Sequence, residues 1–287
     1  MELFNQLESI GLGALLRGAL LEDLGQGDIT TAATVAPKQA GRAQIIVKES
    51  PHIVFCGGML LTEVFAIAGA APRVKSLAPE GEILPNGACA AEIEGQLAGL
   101  LIGERTALNF VQLMSGIASV TRRYVDAVAG TGARIIDTRK THPGLRAIEK
   151  YAVRAGGGFN HRFGLDSGVL IKENHIAAAG SVRDALAGAR RLAPHTMRIE
   201  IECETLAQVE EALGAGADSI LLDNMSLDNV CRARALAPAG RVLLEVSGGV
   251  TLEGVRAIAE TGVDLISVGA LTHSASAVDL SMRITPL

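Results

Sequence analysis

The sequence predicts an α/β protein built on a parallel βα repeat that curls into a barrel. Three observations carry this expectation. From about residue 134, six strand-like runs appear as RIIDT, GVLIKE, RIEIECE, SILLD, RVLLEVS and DLISVGA, with helical segments such as SVRDALAGARRLA and LAQVEEALGAGA between the later ones. Those later units recur about every 22 residues, the spacing of a strand, a crossover helix and its turns. No GxGxxG fingerprint follows the first run, and the units are short and even, which favours a barrel over an open doubly wound sheet. Only six strands are evident, fewer than the eight of a full barrel.

The upstream part has a different texture. LLRGALLEDLG reads as an opening helix, and EDLGQGDITT as its end, a loop and the start of a second helix. AQIIVKES and HIVFCG have strand character, and the Gly and Pro punctuation of APEGEILPNGACAAEIEG marks short strands. ERTALNFVQLMSGIASVTRRYVDAVAG is then helical, with Leu108, Val111, Met114 and Ala118 at three-to-four spacing and a break expected near Gly116.

At 287 residues the chain can form one large domain or two modest ones. A net charge of −5, no Trp and only 3% aromatics argue against nucleic acid or a membrane surface as partner. The four cysteines are far apart and form no CxxC pair, which suits a reduced cytoplasm better than a disulfide framework or a zinc cluster. MELFNQLESIG lacks the basic region and apolar run of a signal peptide, and no run approaches a membrane span. A soluble, cytoplasmic protein is expected.

Polar residues fall at informative places. Lys172, Glu202, Asp223, Ser247 and Gly269 each stand at or near the C-terminal end of a strand-like run, the end that carries chemistry in barrels. In RIEIECE the apolar Ile199, Ile201 and Cys203 share one side, so Glu200, Glu202 and Glu204 point toward the barrel axis. The same parity groups Asp137 with Arg139, and Glu245 with Ser247. Inward carboxylates need cations or a metal beside them, and Lys172, Arg139 and Lys140 are the available cations. For any one residue a structural ion pair accounts for this; the set clustered at one end points to a functional site.

Cations and two histidines also crowd around three glycines in DTRKTHPGLRAIEKYAVRAGGGFNHRFG. One glycine suffices to end a helix, whereas three before FNHR suggest backbone approaching a ligand. LEVSGGV followed by TLEGVRAIAE reads as strand, glycine turn and helix N-terminus, an arrangement that holds phosphate, and ISVGALTHS follows one unit later. A tight βα turn is the alternative for each glycine pair. His142 is expected at a helix start, and His175 in KENH is expected to pair with Glu173 or Asn174. No HExxH or Cys/His spacing supports zinc, while Glu202 and Asp223, hard oxygen ligands on neighbouring strands, suit Mg2+ shared with a substrate phosphate. By composition alone Arg105 is a solvated helix arginine.

GERTALNFVQLMSGIAS, the long DTRKTHPG stretch, VLIKENHI, IECETLAQVEEAL, LLDNM, LEVSGGV and ISVGALTHS resemble the quinolinate phosphoribosyltransferase family. The match keeps the family's order over nearly the whole chain, including LEDLGQGDIT. It implies an N-terminal α/β sandwich domain, residues 1–112 joined by 271–287, and an incomplete (β/α) barrel, residues 113–270, carrying the site. It also implies a homodimer with a site shared between subunits. The reaction implied joins quinolinate to phosphoribosyl pyrophosphate with Mg2+, giving nicotinate mononucleotide, pyrophosphate and CO2 in de novo NAD biosynthesis.

By resemblance, Lys140, Glu202 and Asp223 are catalytic, and the two acids bind the ribose hydroxyls and Mg2+. Arg105 reaches the substrate from the other subunit. Arg139, His161 and Arg162, with Thr138 nearby, line the quinolinate carboxylate pocket, and Lys140 and Lys172 meet substrate and pyrophosphate charge. Ser247, Gly248, Gly249 and Gly269 hold the 5-phosphate, with Val268 and Ala270 beside Gly269 as further binding positions. His142, Phe159 and the LDSG stretch at 165–168 occupy variable places in the family's motifs. Two rivals are a Schiff-base aldolase using Lys172 and a non-catalytic phosphosugar-binding protein on the same scaffold.

Overall fold

Burial alternates along β1 (Ala40–Val47) in the computed structural model, which describes residues 11–237 and 240–287. Ala43, Ile45 and Val47 are fully buried on one face, together with Ala91 and Ile93 of a neighbouring strand. Burying each such aliphatic side chain contributes about 1.5–3 kcal/mol relative to exposure. The other face is polar and cross-linked: Arg42 Nη2 lies 2.8 Å from Glu94 Oε1, and Gln44 Nε2 donates to Glu92 Oε2 at 2.7 Å. A period of two therefore gives this sheet one core face and one hydrophilic face.

Contacts divide the chain into two units. The first runs to Arg122 and includes His142–Gly157 and Thr272–Leu287; the second comprises Arg123–Thr141 and Gly158–Leu271. The sequence expectation put the boundary at 112 and gave the whole of 113–270 to the barrel. By contacts, residues 113–122 and the helix Arg146–Ala155 belong instead to the first unit.

In the first unit, β2 (His52–Val54) pairs with β4 (Ile83–Pro85). A four-stranded antiparallel sheet has the order β12-β1-β5-β3, with β3 at Arg73–Leu77, β5 at Cys89–Gln96 and β12 at Leu280–Pro286. The EDLGQGDITT stretch folds as expected. A helix ends at Leu24, Gly25 and Gly27 take positive φ, and Asp28 caps the helix Ile29–Thr34 by accepting from Thr31 N at 2.9 Å.

The helix Leu97–Ala127 runs unbroken for 31 residues, so the break expected at Gly116 is absent. Glycine is required there for another reason: a Cβ at Gly116 would collide with the Ser276 carbonyl. Two glycines of the triple run, Gly156 and Gly157, have a similar packing reason. A Cβ on Gly156 would come within 2.5 Å of the Ala118 carbonyl oxygen, and Gly157 takes φ +91° just past the helix end. These glycines admit a neighbouring helix and turn the chain.

The second unit holds six parallel strands: β6 (Arg134–Ile136), β7 (Val169–Ile171), β8 (Ile199–Cys203), β9 (Ser219–Asp223), β10 (Leu243–Ser247) and β11 (Leu265–Ser267). Their order is β6-β11-β10-β9-β8-β7, and among the described residues β6 and β7 do not pair. This is an incomplete α/β barrel, as the six sequence runs predict. Ser181, Thr205 and Ser226 cap three of the crossover helices with their hydroxyls. On its edge away from β11, β6 carries one further rung, a parallel bridge between Ile136 and Phe159.

Candidate active site

Alternation places the acids inside the barrel. Asp137 is fully buried, and Glu245, Glu202 and Glu200 are 1%, 8% and 9% exposed, while Ile201 and Cys203 are buried on the opposite face of β8. His161 shows how far the sheet curls. Its Nε2 lies 3.0 Å from Glu200 Oε2 on β8 and 3.9 Å from Glu245 Oε2 on β10. Ser219 Oγ donates to Glu200 Oε1 at 2.9 Å. Burial, then the Glu200 charge, push the Glu245 carboxyl well above the ordinary carboxylate range.

His161, Glu200 and Glu245 bring ligand atoms within 4.8 Å of one another, close enough for a metal ion. The tautomer argues against that use. Arg162 N donates to His161 Nδ1 at 2.6 Å, so in the neutral ring Nε2 carries the proton and donates to Glu200. The cluster is a hydrogen-bonded support beneath the site.

At the C-terminal ends of the strands, Lys172 directly follows β7 and its Nζ lies 2.6 Å from Glu202 Oε2. A Schiff-base nucleophile needs a desolvated neutral amine, whereas Lys172 is half exposed and set against a carboxylate. His175 caps this corner by accepting from Lys172 N at 2.9 Å, rather than pairing with Glu173 or Asn174 as expected. Asp223 ends β9 beside Ser247, which ends β10. Register and alternation place Glu202 and Asp223 on the same face of the sheet.

The turn after β10 is shaped for close backbone approach. Gly248 takes φ +94° and a Cβ there would strike Asn224; Gly249 takes φ +56° with nothing within 4 Å of its Cβ position. Asn224 also has positive φ, donates its backbone N–H to Ser247 O at 3.0 Å and its Nδ2 to Asp223 Oδ2 at 2.8 Å. The helix expected directly after these glycines starts only at Val255. Val268, Gly269 and Ala270 follow β11, the neighbour of β10.

Thr138, Arg139 and Lys140 follow β6, where Thr138 Oγ1 accepts from Lys140 N at 3.0 Å. Arg162 donates through Nη1 to Gly168 O at 2.8 Å. Burial, then the Arg139 charge, hold the Arg162 guanidinium below its ordinary value, a sign that the two cations stand close. A cavity of about 310 Å3 reaches His161, Arg162, Glu200 and Glu245 from the N-terminal ends of the strands, past Arg134, whose guanidinium carbon lies 5.0 Å from the Phe159 ring centre.

Strand order therefore arrays 138–140, 268–270, 247–249, Asp223, Glu202 and Lys172 along the C-terminal edge of one sheet. Arg105 belongs to the first unit, where it is exposed and lines a pocket of about 300 Å3 with Glu22 and Asp23. His142 precedes the helix Arg146–Ala155 and is clasped by the buried Glu149, which accepts from its Nδ1 at 2.5 Å and its backbone N at 3.2 Å. Sequence reasoning missed Asn224 and Ser219, and overlooked Asn160. Small polar residues leave no periodic signal, and their partners lie on other strands. The cysteines are all free.

Comparison with known proteins gives a consistent result. Residues 28–115 match the family model for the quinolinate phosphoribosyl transferase N-terminal domain, and residues 117–283 that for its C-terminal domain. The chain is 44% identical over 281 residues to a probable nicotinate-nucleotide pyrophosphorylase (carboxylating) of Bacillus subtilis, covering 97% of this chain and 95% of that one. It is 46% identical over 274 residues to nicotinate-nucleotide pyrophosphorylase (carboxylating) of Mycobacterium leprae, covering 94% and 95%. The crystal structure of NadC from Streptococcus pyogenes superimposes with a TM-score of 0.92 at 41% identity, covering 97% of this chain and 98% of that one.

Proposed function

The chain belongs to the quinolinate phosphoribosyltransferase family, and from that premise we propose how its residues divide the work of the reaction. It transfers the phosphoribosyl group of phosphoribosyl pyrophosphate to quinolinate with decarboxylation, giving nicotinate mononucleotide, pyrophosphate and CO2 for NAD biosynthesis. The observation that carries the reading is the single edge of the barrel at which cations, glycine turns and two inward acids meet.

Arg139 and Arg162 receive the planar quinolinate carboxylates, because a guanidinium donates two parallel hydrogen bonds. His161, held by Glu200, fixes the start of the Arg162 side of that pocket. Lys140 and Lys172 oppose substrate and pyrophosphate charge. The Ser247–Gly249 turn and the Val268–Ala270 segment hold the 5-phosphate through backbone N–H groups. As pyrophosphate departs, positive charge grows on the ribose, and Glu202 and Asp223 stabilise it. The pyridine nitrogen attacks C1 of the ribose and becomes cationic. The bond to the adjacent carboxylate then breaks and CO2 leaves; the electron pair stays on the ring carbon, stabilised by the neighbouring cationic nitrogen, until that carbon takes a proton. Positioning and electrostatics supply the rate, with no covalent enzyme intermediate.

Glu202 and Asp223 fit Mg2+ as hard oxygen donors on one face of the sheet, although Lys172 already occupies one oxygen of Glu202. When bound, the ion would neutralise charge gathering on the pyrophosphate. The active form is a cytoplasmic homodimer in which the partner subunit's Arg105 completes the site. Mixing inactive Arg105→Ala and Lys140→Ala subunits tests this: random exchange makes about half the dimers mixed, each with one intact site, so a shared site restores about a quarter of wild-type activity to the whole mixture, and a site within one subunit restores none. The reaction itself is tested by incubating the protein with quinolinate, phosphoribosyl pyrophosphate and Mg2+ and following nicotinate mononucleotide. Nicotinate serves as the control; absence of product, or equal turnover of nicotinate, overturns the reading.

A further inference from the structure

We propose that Asp137 is a positioning residue that presets the carboxylate clamp formed by Arg139 and Arg162; the proposal rests on the family reading above. Asp137 directly follows β6 and is fully buried. Its two oxygens join two stretches of chain: Oδ1 accepts from His161 N at 2.8 Å and Oδ2 accepts from Asn160 Nδ2 at 2.6 Å. Arg139 lies two residues beyond Asp137, and Arg162 follows His161. One carboxylate therefore ties together the roots of both arginines.

The backbone explains why a side chain takes this task. The parallel ladder beside β6 contains Phe159 N to Ile135 O at 2.8 Å and Asp137 N to Phe159 O at 3.1 Å. The single bridge between Ile136 and Phe159 marks its extent. The Asp137 side chain carries the pairing onward to residues 160 and 161, where the chain leaves strand geometry. Two guanidiniums facing one substrate repel each other until an anion arrives, and Arg162 already registers both burial and the Arg139 charge. A clamp assembled beforehand spares the substrate that work.

The test uses Asp137→Asn, Asn160→Ala, and the exchange Asp137→Asn with Asn160→Asp, which restores a donor facing an acceptor. Asn160 is an exposed residue, so its alanine variant keeps the fold even if a change at Asp137 does not. Asp137→Asn and Asn160→Ala are expected to raise the quinolinate KM about tenfold, leave the phosphoribosyl pyrophosphate KM within about twofold, and regain wild-type quinolinate KM in the exchanged pair. An unchanged quinolinate KM in the folded variants overturns the proposal. So does an equal loss for both substrates that the exchange does not rescue, since that marks a merely structural residue. A wild-type protein inert toward both substrates overturns the family reading, and the proposal with it.

Discussion

Lys172 Nζ stands 2.6 Å from Glu202 Oε2 across the C-terminal ends of the adjacent parallel strands β7 and β8. The pair joins a half-exposed cation to an acid that is only 8% exposed. Lys172→Ala leaves Glu202 without this counter-charge. The expected result is a loss of kcat/KM of about 100-fold and a stability loss of about 1–2 kcal/mol, below the range of a fully buried pair because solvent screens Lys172. Steady-state kinetics and denaturant melts check both. Glu202→Gln should lose turnover while keeping most of its stability, which separates chemistry from folding.

Arg139→Lys and Arg162→Lys keep the charge and lose the planar fork. Each should raise the quinolinate KM about tenfold or more and change the phosphoribosyl pyrophosphate KM little. Nicotinate mononucleotide formation at varied concentrations of each substrate measures this. Equal effects on both substrates would remove the arginines from the carboxylate pocket.

Gly248 and Gly249 share positive φ but differ in surroundings. Gly248→Ala drives a Cβ into Asn224, so it should lower stability by about 2–3 kcal/mol and weaken phosphoribosyl pyrophosphate binding. Gly249→Ala meets no neighbour and suffers only the backbone strain of about 1 kcal/mol. Thermal unfolding orders the two variants, and titration with phosphoribosyl pyrophosphate shows whether the turn holds its phosphate.

Glu245 makes stability depend on pH in a defined direction. Burial and Glu200 raise its carboxyl above the ordinary value of 4.5, so its contribution is present in acid and is lost as pH rises toward the folded value. Above pH 4.5 the unfolded carboxyl releases a proton that the folded one retains, and the fold weakens by up to about 1.4 kcal/mol per pH unit. Glu245→Gln is neutral at every pH. It should therefore melt above wild type at about pH 8, with the advantage shrinking toward pH 4.5. An advantage that grows on acidification would contradict a buried, protonated Glu245.

Local pattern alone specifies the βα repeat, the inward face of β8 and the placing of Lys172, Glu202, Asp223 and Ser247 at strand ends. Hydrophobic periodicity and turn residues act over a few neighbours, and a one-dimensional pattern reports them faithfully. Packing between distant segments sets the role of two glycines. Gly116 and Gly156 accommodate approaching carbonyls of Ser276 and Ala118, and nothing within a few residues of either reveals that. It likewise sets the partners of the buried acids, Asp137 with Asn160 and His161 and Glu200 with His161 and Ser219, and the upward push on the Glu245 carboxyl. Those choices depend on which strands stand beside one another and how much water they exclude. Both are set when the sheet curls, after local pattern has done all it can.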